Sequence, residues 1–227
     1  MVRLILAMLI ARKAPASEGV VLLHGLARSS RSMSRIEHSL LEAGFLVRNL
    51  DYPSTKFSIS ELATQLQTRI LSDRDLQACE RIHFVTHSMG GIVVRYLMSK
   101  NAISKVGRVV MLGPPNGGSE VVDRIGSWRL FKFLNGPAGQ ELGTGPESTP
   151  NRIGPVMFEL GIIAGDRSIN WINSSMIEGP DDGKVSVERT KVAGMKDHVV
   201  LHTTHPTMLL NREVIAHTLR FLRFGSF

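Results

Sequence analysis

The chain has 227 residues, 43% hydrophobic and 21% charged, which is enough to bury one substantial core, so a single domain spanning 1–227 is expected. Cys79 is its only cysteine, which excludes an internal disulfide, a cysteine-rich zinc site and a CxxC redox pair, and leaves the compartment open. The formal charge of +7 does not make a nucleic-acid reader, because the basic residues are scattered and no aromatic-interleaved basic stripe or helix-turn-helix pattern accompanies them.

Taken in chain order, the N-terminus has two readings. Arg3 followed by LILAMLIA, with Ala14-Pro15-Ala16 beyond, has the layout of an export signal and its cleavage site, but Arg12 and Lys13 stand where such a signal carries no charge. Residues 1–18 are therefore either a degenerate signal or a retained N-terminal strand, and the apolar run is far shorter than the ~20 residues that span a bilayer. GVVLLHG (19–25) reads as a buried strand. The cluster Arg28, Arg31 and Arg35 reads first as a solvated loop and helix face, and second as a surface that draws anionic lipid or substrate. SRSMSRIEHSLLEAG (30–44) has helical period and a stop at Gly44, FLVRNLDY (45–52) is a strand, and Ile59 to Leu71 is a helix that Ser58 or Ser60 would cap. RIHFVTH (81–87), RVVMLGPP (108–115) and LGIIAGD (160–166) are further strands, with helices over IVVRYLMSK (92–100) and from about Leu209 to Leu222. Strands alternating with helices imply right-handed crossovers and a mostly parallel central sheet with helices on both faces. Residues 119–155 depart from the alternation: they are rich in Gly and Pro and crowd Trp128, Leu130, Phe131, Phe133 and Leu134 together. A segment of this kind is either a short amphipathic helix on the core or a cap or lid over a pocket, and in the second case Trp128, Phe131 and Phe133 form a substrate wall.

The stretch FVTHSMGG (84–91) places Ser88 between a strand and a pair of glycines. In a G-x-S-x-G elbow the serine sits at a sharp, strained strand-to-helix turn that lifts its hydroxyl above the strand ends, and Thr86-His87-Ser88-Met89-Gly90 fits that context with Thr86 in place of the first glycine. A serine hydroxyl needs a base within hydrogen-bond reach and a carboxylate to orient the base. With the order Ser, acid, His along the chain, GPDDGKVSV (179–187) offers Asp182, with Asp181 as the fallback. DHVVLHTTHPTMLL (197–210) offers His205, just before Pro206 and the final helix, in competition with His198 and His202. His24 and His87 precede the acid and are assigned to shaping their loops. The oxyanion donors expected are the backbone N–H groups of Met89, after the serine, and Leu26, in the loop HGLARSS (24–30).

The set VVLLHGL, DYPST, FVTHSMGG, GPPNGGSEV, PDDGKVSV and THPTMLLN resembles the small bacterial lipases and esterases of the α/β-hydrolase superfamily, from residue 19 to the end. The resemblance implies an α/β-hydrolase fold with a small cap or lid insertion, Ser88 as nucleophile, Asp182 as acid, His205 as base, and the Leu26 and Met89 amides as oxyanion hole. It implies hydrolysis of acyl esters or lipids through an acyl-enzyme, with no metal or organic cofactor, although a structural Ca²⁺ near the acidic loop stays open. A small ester or lipid is then the partner, with a lipid interface as a second contact, and the oligomeric state is not legible. Export or a periplasmic location follows from the relatives, with Arg12 and Lys13 against it and a cytoplasmic location open. Two alternatives use the same residues or the same fold: an acyltransferase or thioesterase, and a protein that binds acyl or lipid ligands without turning them over.

Overall fold

The structure is a computed structural model and describes residues 18–227, without the side chains of Phe131 and Lys132. The readings of the segment before Glu18 lie outside the described residues. The chain runs β1 (Glu18–Leu23), a 3-10 turn (Ser30–Met33), α1 (Ser34–Glu42), β2 (Leu46–Leu50), α2 (Ile59–Ser72), α3 (Arg74–Ala78), β3 (Arg81–His87) and α4 (Met89–Ser99). It continues through β4 (Val106–Leu112), α5 (Glu120–Ile125), α6 (Arg129–Gln140), α7 (Thr149–Arg152), β5 (Leu160–Gly165), α8 (Trp171–Ser174), α9 (Val187–Thr190), β6 (Asp197–Leu201), a 3-10 turn (Met208–Leu210) and α10 (Arg212–Phe224).

Among the described residues the six strands make one sheet in the order β2-β1-β3-β4-β5-β6, every neighbouring pair parallel. Side chains alternate across a strand, so β1 sends Val20 and Leu22 to one face and Val21 and Leu23 to the other. The first face packs with Ile36 and Leu40 of α1 and Val214 and Phe221 of α10. The second packs with Leu62, Leu66 and Ile70 of α2 and Ile92 and Val93 of α4. A strand covered on both faces has no polar side to show, which is why β1 and β5 read as unbroken apolar runs.

Two local details position the site. α2 starts where the sequence caps it: Ser58 Oγ accepts the Glu61 N–H while the Glu61 carboxylate accepts the Ser58 N–H, a reciprocal capping box. α4 starts at Met89, three residues before its apolar period, because Gly90 and Gly91 are helical here for packing reasons. A Cβ on Gly90 would lie 2.7 Å from the Leu23 carbonyl oxygen and 2.8 Å from that of His24. Only a bare α-carbon lets the first turn of α4 lie against the end of β1.

The segment 119–155 carries three helices, α5, α6 and α7, joined by short irregular stretches. α6 is kinked at Gly136, where φ is 62°, and its end is tied to the start of α2 by Ala138 N–H to Phe57 O at 3.2 Å and, from the capping residue Glu141, by Ile59 N–H to Glu141 Oε1 at 3.1 Å. The chain between β5 and β6 contributes no strand to the sheet, so Asp182 sits in a turn closed by an isolated bridge between Asp181 and Ser186 rather than at a strand end.

Candidate active site

In this sheet order the chain leaves β1 toward β2 and then crosses back to β3, and the strand ends on either side of such a reversal open a crevice. The loop after β1 and the turn after β3 meet there. Ser88, between β3 and α4, has φ 53° and ψ −126°, a conformation that non-glycine residues avoid. Its N–H is held by the Leu112 carbonyl at 2.8 Å, which ties the turn to the end of β4. As N-cap of α4, Ser88 stands at the positive end of the helix, beside amides that no helical carbonyl reaches. Thr86 is fully buried in β3 and its hydroxyl has no hydrogen-bond partner among the described residues, a cost of about 1–3 kcal/mol for the β-branched residue in a position where the motif has glycine.

Asp182 and His205 are joined: His205 Nδ1 lies 2.7 Å from Asp182 Oδ2, with the two residues 4% and 1% exposed. The other carboxylate oxygen, Oδ1, accepts the N–H groups of Lys184 at 3.0 Å and Val185 at 2.9 Å, and the Asp182 carbonyl accepts the His205 N–H at 2.8 Å. Gly183, at φ 96°, makes the turn that brings those amides round. With both oxygens satisfied the carboxylate has one orientation, and the histidine backbone is fixed to the same residue. The competitors are engaged elsewhere. Asp181 Oδ1 accepts the Gly183 N–H and the Ser174 hydroxyl, His198 Nε2 meets Thr190 Oγ1 at 2.9 Å, and His202, 74% exposed at its side chain, pairs with Asp166.

His87 completes the cluster. Its Nε2–H donates to the His205 carbonyl at 3.0 Å, and its ring lies 4.7 Å from the His205 ring. Burial, reinforced by the neighbouring His205, holds its pKa well below the usual histidine value, so His87 is neutral and acts as a fixed donor. The loop after β1 packs directly on Ser88: a Cβ on Gly25 would lie 3.1 Å from Ser88 Cβ. Tyr52 Oη donates to the His24 carbonyl, His24 Nδ1–H donates to the Gly25 carbonyl at 2.9 Å, and Ala27 N–H donates to Ser54 Oγ at 3.1 Å. These bonds fix the backbone on both sides of Leu26.

Ser88, His87 and His205 line one pocket of about 180 Å³ with Leu26, Arg28 and Lys184. Its apolar wall is Val121, Val122, Ile125 and Leu142, from the segment expected to carry it but not from the aromatic residues. Trp128 is 61% and Phe133 83% exposed, outside the pocket lining, and the Phe131 side chain lies outside the described residues. No hydrogen bond among the described residues links Ser88 Oγ to His205. Such bonds are commonly loose until substrate is bound.

Gly113 is the residue that sequence reasoning passed over. It has φ 54°, and a Cβ there would lie 2.8 Å from Asp182 Oδ2 and 3.1 Å from His205 Nδ1. The signal was present as a glycine ending an apolar strand in MLGPP. Among the described residues no group of three or more His, Cys, Asp or Glu side chains is placed to hold a metal ion, and no helix is long and apolar enough to cross a membrane.

This arrangement of elbow, loop and Asp–His pair at the carboxyl ends of a parallel sheet defines a class, and the comparison of sequences agrees. The model described as the alpha/beta hydrolase family matches residues 20–175, and the chain belongs to that family. The matched span includes Ser88 and the loop after β1, and ends before Asp182 and His205. No curated protein matches the chain. Among solved structures it is similar to the mature lipase BlEst2 of Bacillus licheniformis, with TM-score 0.72, 21% identity and coverage of 92% of this chain and 91% of that one. It is also similar to a metagenomic carboxyl esterase, MGS0156, with TM-score 0.69, 15% identity and coverage of 85% and 66%. The phospholipase PlaB of Legionella pneumophila aligns with TM-score 0.64 and 20% identity over 77% of this chain and 45% of its own.

Proposed function

We propose that the protein is a serine carboxylic-ester hydrolase that acts on acyl esters or lipids through an acyl-enzyme. The observation that carries this reading is the buried Asp182–His205 hydrogen bond opening onto the pocket that Ser88 also lines. With Nδ1–H given to Asp182, the other ring nitrogen of His205 is free to accept a proton. Ser88 Oγ attacks the ester carbonyl carbon and its proton passes to His205 Nε2. The carbonyl oxygen becomes an oxyanion facing the Leu26 and Met89 amides, where each such donor is worth about 2.7–4 kcal/mol in a serine hydrolase. Collapse breaks the bond to the alcohol, which leaves with the proton from His205. Water then repeats the sequence on the acyl-enzyme and releases the acid. Asp182 stays ionised and holds the imidazole tautomer, and neutral His87 adds no charge to oppose the imidazolium.

The acyl chain lies against Val121, Val122, Ile125 and Leu142, at about 0.8 kcal/mol for each methylene buried. Trp128 and Phe133, exposed on the outside of the same segment, form an apolar edge for a lipid surface. The fold of two solved enzymes called a lipase and a carboxyl esterase supports the reading. Its test is a p-nitrophenyl ester series from acetate to laurate together with labelling by a fluorophosphonate. Ser88→Ala is expected to lower kcat/KM by about 10³-fold or more and to abolish labelling at an unchanged melting temperature. Wild-type protein that takes no label, or a variant within tenfold of wild type, would remove the hydrolase assignment.

A further inference from the structure

We infer that Arg28 and Lys184 form an anion-binding subsite for the alcohol half of the ester, so that the substrate carries a phosphate or carboxylate beside the scissile bond. This rests on the hydrolase reading. Both side chains line the pocket that holds Ser88 and His205, and no Asp or Glu lines it with them. Neither side chain takes part in a hydrogen bond or ion pair among the described residues, so both are available to a ligand in the pocket. Two cations at one pocket repel one another, and the protein keeps them together: the exposed Lys184 ammonium is pushed below its usual pKa by partial desolvation and by Arg28, and the attraction of Asp182 does not overcome them. An anion between them relieves both.

Their placement assigns the half of the substrate. His205 must hand its proton to the departing oxygen, so the alcohol leaves on the His205 side. Lys184 lies there, since it also lines the adjacent pocket formed with His205, Pro206 and Trp171, where the Asp182 carboxylate is already engaged by His205 and two backbone amides. Four of the apolar residues of the main pocket, Val121, Val122, Ile125 and Leu142, come instead from α5 and the chain after α6, which suits the acyl chain. A cationic alcohol side and an apolar acyl side match an amphiphile with an anionic head, whether a membrane phospholipid or a soluble anionic ester.

The test compares 3-carboxy-4-nitrophenyl butyrate with 4-nitrophenyl butyrate, which share an acyl group and differ in the charge of the leaving alcohol. In Arg28→Gln/Lys184→Gln the ratio of kcat/KM for the anionic over the neutral ester is expected to fall at least about tenfold, and in wild type that ratio falls as salt rises. Release of fatty acid from phosphatidylglycerol and phosphatidylcholine vesicles, and competition by inorganic phosphate, separate the sources. Loss of a phosphatidylglycerol preference in the double variant identifies a lipid headgroup; loss of the ester ratio and of phosphate competition alone identifies a soluble anionic ester. Turnover of both butyrates at a ratio within about twofold of wild type overturns the subsite and leaves the hydrolase reading intact. Wild-type protein that hydrolyses neither butyrate and takes no fluorophosphonate overturns both.

Discussion

Gly113 decides how closely the end of β4 can approach the Asp182–His205 pair. Its positive φ already costs an alanine about 1–2 kcal/mol, and the methyl group would sit 2.8 Å from Asp182 Oδ2. The carboxylate cannot yield without losing the Lys184 or Val185 amide. Gly113→Ala is therefore expected to lower kcat by about 10²-fold, as displacements near 1 Å do, with a smaller loss in KM and a retained fluorophosphonate site. Steady-state kinetics beside a circular dichroism melt check this, and an unchanged kcat would show that the pair tolerates displacement. The same residues show what a sequence makes legible. A serine before two glycines, a carboxylate before a glycine and a histidine before a proline stand out because reactive chemistry restricts residue type at each place. Gly113 does not stand out, because its constraint comes from atoms brought together by the fold across many residues. Thr86 is a similar case. The motif flags it as a departure, but only the structure puts its hydroxyl in a fully buried site without a partner.

At the scale of elements, the close contact between α4 and the end of β1 joins the turn carrying Ser88 to the loop carrying Leu26. Gly90→Ala would drive a methyl group to 2.7 Å from the Leu23 carbonyl, a backbone atom that cannot rotate away. The expected cost is about 1–3 kcal/mol of stability from overpacking, with a larger proportional loss of activity because helix and loop must separate. Urea unfolding and kcat/KM on one preparation would show it, and a variant of full stability and activity would mean that the two elements are less tightly coupled than their contact implies. The long elements were legible in sequence because they are periodic or continuously apolar. β1, β3 and β5 each fall within two residues of the apolar runs that announce them and β4 within three, and α2 begins just after the serine that caps it. The short helices α3, α5, α7, α8 and α9 are too brief to show a period, and α6 is broken by Gly136 and Pro137, so the sequence left the segment open between a short amphipathic helix and a cap or lid. α4 was legible only from residue 92 because glycine ordinarily weakens a helix, and the packing that requires it is tertiary.

For the whole molecule, the formal charge of +7 and the buried histidines predict how stability responds to acid. His24, His83 and His87 are buried, and burial is the leading cause that holds each below its usual pKa. Asp51 pulls His24 up and Glu18 pulls His83 up, without overcoming burial; Arg108 pushes His83 down, as His205, Arg28 and Lys184 do His87. In the unfolded chain these histidines titrate near 6.5, so below that pH the unfolded state binds more protons than the folded one. Their stabilising effect is thus complete above about pH 6.5 and lost as pH falls, at up to about 1.4 kcal/mol per pH unit for each histidine that stays neutral. Protonation also adds positive charge to a chain that already repels itself, which acts in the same direction. The urea midpoint is expected to fall between pH 7.5 and pH 5.5. His83→Gln, which keeps an acceptor for the Arg108 N–H but does not titrate, should flatten the fall by about one proton's worth. A midpoint equal at the two pH values would mean that the histidines protonate in place, and the neutral state assigned to His87 beside His205 would have to be given up.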